Sequence, residues 1–290
     1  MTVRSGPRPD LRMERALLRS GARVVVGMDE VGRGALAGPV TVGAVAVDLT
    51  TRTCPQGVAD SKLLTAASRE RLLPALGRWG LARGVGHAGP DEIDRLGIIA
   101  ALRLAGRRAV AALGVEVDLV LLDGSHDWLT TPAELDLFGE DSPAAAVDPW
   151  SRIAVRTRVK ADQRCASVAA ASILAKCRRD ALMTAHAHDH PAYGWAENKG
   201  YGAPEHVEAL RRLGPSPLHR TSWRLPTADD VEDGVVEELA DVVDALVDVA
   251  GHVEDDVVGT ETGGRDGTDG RAGSGVPDAD ERRGWAMMDA

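Results

Sequence analysis

The sequence predicts an α/β domain with a mixed sheet, followed by a small helical part. Three observations predict it. Short β-branched runs at 23–28, 40–47 and 117–122 alternate with stretches of helical spacing. Glycine and proline punctuate the junctions between them. A long alanine-rich stretch, 165–186, then leads into short pieces broken by Gly200, Gly202, Pro204, Gly214, Pro215 and Pro217.

Each element has its own reason. Residues 23–28 and 40–47 read as strands, with Gly32, Gly34, Gly38 and Pro39 as turn chemistry between them. Residues 63–76 have helical spacing, and Pro74 is expected to end or bend that helix. Pro90 suits a first helical turn. Ile93, Leu96, Ile99, Ala100, Leu104, Val110 and Leu113 then mark one face, with Gly114 as the stop. Residues 117–122 form a buried strand ending at Asp123-Gly124. Residues 153–159 alternate apolar and basic, a half-buried strand with one cationic face. The expected divisions are an N-terminal arm at 1–22, a body at 23–227 and an acidic tail at 228–290, partly helical and then disordered. Within the body, 125–150 is an acidic loop insertion and about 190–227 is helical.

The net charge of −10 is unevenly distributed. The tail carries 19 acidic and 4 basic side chains, and the insertion has six acidic and no basic ones. What remains is a basic body, compatible with a polyanionic partner. Three scattered cysteines, Cys54, Cys165 and Cys177, suit neither a disulfide framework nor a zinc site. No apolar run reaches the ~20 residues of a membrane span. The expectation is a cytoplasmic monomer without membrane association.

Four carboxylates occupy strand ends. Asp29 and Glu30 follow the first run, Asp123 the third, and Asp162 the strand at 153–159. Singly, each suits a turn or a helix cap. Together they would repel one another and raise their pKa values unless cations entered. Hard oxygen donors suit Mg²⁺ or Mn²⁺, and two such ions cut phosphodiesters. Regular β geometry sends Asp29 and Glu30 to opposite faces, so either the backbone bends there or the ions straddle it. The run Gly32-Arg33-Gly34-Ala35-Leu36-Ala37 also matches a dinucleotide-binding pattern, which raises a nucleotide-dependent oxidoreductase as a rival. That pattern must open a helix, whereas Pro39 and a strand-like run follow here.

The ordered combination carries more than its parts. Gly27-Met-Asp29-Glu30-Val-Gly32-Arg33-Gly34, Asp60-Ser61-Lys62, Leu122-Asp123-Gly124, Lys160-Ala-Asp162, the 169–176 stretch, Lys199-Gly-Tyr201-Gly202 and His219-Arg220-Thr-Ser222 together resemble the ribonuclease HII family. The resemblance implies a ribonuclease H-like fold with a helical C-terminal extension. It implies endonucleolytic hydrolysis of the RNA strand in RNA–DNA hybrids and cutting at single ribonucleotides in duplex DNA, leaving 3′-hydroxyl and 5′-phosphate ends. By motif, Asp29, Glu30, Asp123 and Asp162 are the catalytic, metal-binding carboxylates, served by Mn²⁺ or Mg²⁺. Gly32, Arg33, Gly34, Ser61, Lys62 and Tyr201 are the expected nucleic-acid contacts. A hybrid-binding protein without catalysis is the other rival, and it has no need of four acids beside a polyanion. Ala161 stands where many members have glycine, and Trp223 where phenylalanine is common.

Overall fold

The computed structural model describes residues 8–130 and 149–226. The acidic tail and most of the insertion lie outside the described residues. Five strands form one sheet: β1 (Val25–Val31), β2 (Val40–Val47), β3 (Ala82–Ala88), β4 (Leu119–Asp123) and β5 (Ala154–Arg158), in the order β3-β2-β1-β4-β5. β1, β2 and β3 pair antiparallel, while β1, β4 and β5 run parallel. Seven α-helices accompany them among the described residues: α1 (Arg12–Arg19), α2 (Ala66–Leu76), α3 (Pro90–Leu96), α4 (Ile98–Ala111), α5 (Ala166–Asp189), α6 (Trp195–Asn198) and α7 (Pro204–Leu213). No helix among these residues is long and apolar enough to cross a membrane. All three cysteines are free.

The sheet has an apolar layer on each side. On β1, Val25 faces a cluster containing Leu119, Leu121 and the α5 residues Val168 and Ala169. Val26 and Met28 face the opposite cluster, with Ala101, Leu102, Ala105 and Ala109 of α4. This is the period-two alternation of a strand covered on both faces. Close approach to α5 depends on missing side chains. A Cβ at Gly27 would lie 2.4 Å from the Ser167 carbonyl carbon, and one at Gly43 would lie 2.2 Å from the Ala171 carbonyl oxygen.

Several expectations are corrected. The helix expected from Pro90 to Gly114 is two helices, because Gly97 takes φ +77° and breaks the path. The break resets the phase: Ala101, Leu102, Ala105 and Ala109 are buried, while Leu96 is 44 % exposed. Pro74 sits inside α2 without ending it there. β3 has no counterpart among the expected strands; its sequence ARGVGHA holds a single β-branched residue. The backbone stays in register through Asp29↔Gly43 and Glu30↔Val42, so β1 does not bend between its two carboxylates. Within the first 22 residues, α1 packs on the body. Leu11 and Leu18 enter the α5-side core, and the fully buried Glu14 accepts hydrogen bonds from Ser167 N (2.8 Å) and Oγ (2.7 Å) at the start of α5.

Candidate active site

Parallel strands in an open sheet place ligands at their carboxyl ends, and the four acids collect there. Asp29 and Asp123 each lie one residue beyond the β1–β4 pair Met28↔Leu122. Strand alternation turns both toward α5 and turns Glu30 toward the other face. Asp162 sits in a single 3₁₀ turn, Ala161–Gln163, just before α5. Asp123 accepts a 2.7 Å hydrogen bond from the Ala161 N–H, which ties the β4 end to that turn.

The electrostatics show how strongly these groups share one field. Asp29 is buried, and desolvation, with Glu30, Asp123 and Asp162 nearby, pushes its carboxyl well above the usual range against a hydrogen bond from Ser172. Glu30 is raised by burial and by Asp123, although Arg33 opposes this from 3.9 Å. Asp162 is pushed up to about 6 by burial, by Asp123 and by Asp60. Burial lowers the Lys62 ammonium, but Asp29, Asp162, Asp60 and Asp123 outweigh it and hold it above its ordinary value. Among the described residues no three His, Cys, Asp or Glu side chains converge closely enough to hold an ion as they stand. The donor set still fits one: it is all hard oxygen, and its members destabilise one another's charge, which a bound cation relieves.

Two residues inside the family motifs, Asp60 and Ser172, carry roles here that the sequence alone does not assign. Asp60 is buried, caps its own turn through Lys62 N (2.9 Å) and accepts from Gln163 Nε2 (3.4 Å). Ser172 shares a 2.7 Å hydrogen bond with Ser61. Ser61 is therefore placed inside the protein, beneath the site, while Lys62 beside it is exposed.

The Gly32–Pro39 loop leads into β2, not into a helix, which removes the pyrophosphate seat an oxidoreductase would need. Gly32 takes φ +84°, and its N–H donates to the Tyr201 hydroxyl (3.1 Å). Tyr201 lies on the C-terminal helical part, against the Arg179 guanidinium at 5.2 Å. The loop carbonyls turn inward onto two fully buried arginines. Arg179 donates to Ala37, Pro39 and Lys199, and Arg220 to Gly32, Arg33 and Gly38. Gly34 differs from Gly32: nothing lies within 4 Å of where its Cβ would be. Gly34 is exposed and Arg33 half-buried, both at the open side of the loop.

Tyr201 is held by a buried histidine pair. His206 Nδ1 donates to the Tyr201 carbonyl (2.8 Å), so its Nε2 must accept, from Trp195 Nε1 (3.1 Å) and from His219 Nε2 (3.0 Å). His219 Nδ1 in turn accepts from Ser216 N (2.9 Å). The bonds accepted at His206 Nε2 and His219 Nδ1 require neutral rings, whereas the donor bond to the Tyr201 carbonyl does not. Burial and the neighbouring His206 lower His219 to about 4, and burial lowers His206. The stability from His219 is complete above pH 6.5 and is lost as pH falls toward 4. The loss is about 3 kcal/mol. His206 and His219 ring resonances should titrate below 6.5, with melting midpoint falling over the same interval; ordinary titration near 6.5 would show that the network does not form.

A family model for ribonuclease HII matches residues 26–225. Ribonuclease HII of Streptomyces avermitilis is 46 % identical over 216 residues, covering 74 % of this chain and 83 % of that protein. Ribonuclease HII of Paracoccus denitrificans is 48 % identical over 218 residues, covering 74 % and 91 %. The crystal structure of ribonuclease H2 from Pyrococcus horikoshii shares the fold, with a TM-score of 0.50 at 24 % identity over 70 % of this chain and 95 % of that one. A mixed five-stranded sheet with carboxylates at its parallel ends, matched to these relatives over residues 26–225, makes this chain a member of the ribonuclease HII family, an endonucleolytic ribonuclease H.

Proposed function

We propose that the enzyme hydrolyses the RNA strand of RNA–DNA hybrids and nicks duplex DNA at single ribonucleotides, leaving 3′-hydroxyl and 5′-phosphate ends. The observation that carries this reading is the placement of Asp29, Glu30, Asp123 and Asp162 at the carboxyl ends of the parallel strands and the turn tied to them, beside a loop whose open side is formed by Arg33 and Gly34. The four carboxylates are the groups that would hold Mn²⁺ or Mg²⁺. Such an ion neutralises charge on the phosphate and lowers the pKa of water. The protein's own part is positioning. Lys62 balances the carboxylate field from the exposed side. Gly32, Arg33, Gly34 and Tyr201 read the junction between ribose and deoxyribose, where the 2′-hydroxyl is the only mark. The enzyme acts as a monomer in the cytoplasm, in a body whose boundaries are near residues 23 and 227.

The test is an end-labelled DNA duplex with one ribonucleotide, run with Mg²⁺, Mn²⁺ or chelator beside a uniform hybrid. One metal-dependent nick next to the ribonucleotide supports the reading. Cleavage of the uniform hybrid alone would remove the single-ribonucleotide activity. Binding should also weaken steeply with salt, since each neutralised phosphate adds about 0.9 to the slope of log affinity against log salt. A flat response would count against a phosphate-tracking surface.

A further inference from the structure

The buried arginines are not explained by stability alone. A buried guanidinium is costly unless paired, yet among the described residues neither Arg179 nor Arg220 has a carboxylate at ion-pair distance. The charge of each also lies in the field of the other. Their hydrogen bonds go to backbone carbonyls, and those of Arg220 go to the loop that faces the substrate. Arg220 Nη2 donates to Gly32 O (2.5 Å) and Nη1 to Arg33 O (2.7 Å). The Trp223 ring lies against the same guanidinium, 4.7 Å away.

A planar trans peptide sets the consequence. Its C=O and the following N–H point in opposite directions. With the Gly32 and Arg33 carbonyls directed at buried Arg220, the N–H groups of Arg33 and Gly34 are directed away from it, toward the open side. Neither N–H has a hydrogen-bond partner among the described residues, and the space beside Gly34 is empty of protein. Two successive outward N–H groups form a concavity for an anion or a polar oxygen. We propose that Arg220 is the positioning residue that aims these two N–H groups and so sets the preference for the ribonucleotide junction. This rests on the junction-reading role proposed above.

The substitution Arg220→Lys keeps the charge and removes the fork. The readout is kcat/KM on the single-ribonucleotide duplex divided by kcat/KM on the uniform hybrid, with KM and melting midpoint measured alongside. The ratio should fall at least about tenfold, through KM on the single-ribonucleotide duplex, as for a contact misplaced by ~1 Å. The uniform hybrid offers a ribose at every step and should be affected far less. An equal loss on both substrates, or an unchanged ratio, overturns the proposal, because a structural role alone removes active molecules without changing preference. If Arg220→Lys does not fold, Trp223→Leu, which removes the ring that holds the guanidinium plane and so lets the fork turn off the Gly32 and Arg33 carbonyls, should shift the ratio in the same direction; no shift overturns the proposal there too. Wild-type enzyme that cuts only the uniform hybrid would refute the junction reading itself, a different result from either.

Discussion

Asp123→Asn is expected to leave the fold intact and to lower cleavage at least about 10³-fold, the scale on which members of a catalytic unit act. Asparagine is nearly isosteric and keeps an oxygen to accept the 2.7 Å bond from Ala161 N, so the link between the β4 end and the Asp162 turn survives. What goes is one negative charge. Asp123 raises the pKa of Asp29, Glu30 and Asp162. In metal-free protein the variant should therefore bring the Asp162 carboxyl down from about 6 toward the usual carboxylate range. The sign matters for stability. A carboxyl raised in the folded state opposes folding at neutral pH, and that opposition fades as pH falls through about 6. Removing Asp123 should thus hold or raise the melting midpoint at pH 7 while activity disappears. Carboxyl titration by NMR, thermal melting and single-turnover cleavage check the three parts. A variant with near-normal cleavage would take Asp123 out of the catalytic group.

Gly34→Ala should likewise pair a silent structure with a large functional loss. Gly34 does not take a left-handed φ, and its added Cβ would meet no protein atom within 4 Å. The folded state tolerates alanine there, and the less flexible unfolded chain gives a stability change of about 0 to +1 kcal/mol. The methyl group instead projects where the nucleic-acid backbone is proposed to approach, and KM should rise at least about tenfold. Gly32→Ala is the contrast. It combines φ +84° with a Cβ 2.1 Å from Arg179 Nε, so it should lose stability and activity together. Unchanged KM in Gly34→Ala would place the substrate elsewhere.

Much of this was legible in one dimension because the relevant signals are local. β2 coincides with its β-branched run, 40–47, and α5 contains its alanine-rich stretch. The four carboxylates were visible because each follows an apolar strand. β3 was not, since a strand of alanine, glycine, one arginine, one histidine and one valine owes its place to pairing with β2 and to α4 covering it. The break at Gly97 was hidden because the apolar spacing on both sides can be read as one helix. Ser61 shows the limit of motif transfer: a motif names the residue, but only its bond to Ser172 shows that the hydroxyl points inward. Arg179 and Arg220 were opaque for the same reason, because arginine in a sequence reads as surface until its carbonyl partners, more than 100 residues away in several cases, are known.

The bond between Glu14 and Ser167 spans 153 residues and bears on the order of events during synthesis. A ribosome extends the chain N-terminus first, at ~5–20 residues per second. β1, β2, β3 and α4 can assemble as they emerge, since their contacts are close in the chain. α1 cannot. Its carboxylate, its leucines and the α5-facing side of β1 wait until residues beyond 167 have left the exit tunnel, an interval of roughly 10–30 s at those rates. During that interval the half-built sheet exposes an apolar face with no helix to cover it. The last helix to pack on the sheet is thus what locks the first helix down, and a nascent chain stalled before α5 is the form most in need of a chaperone.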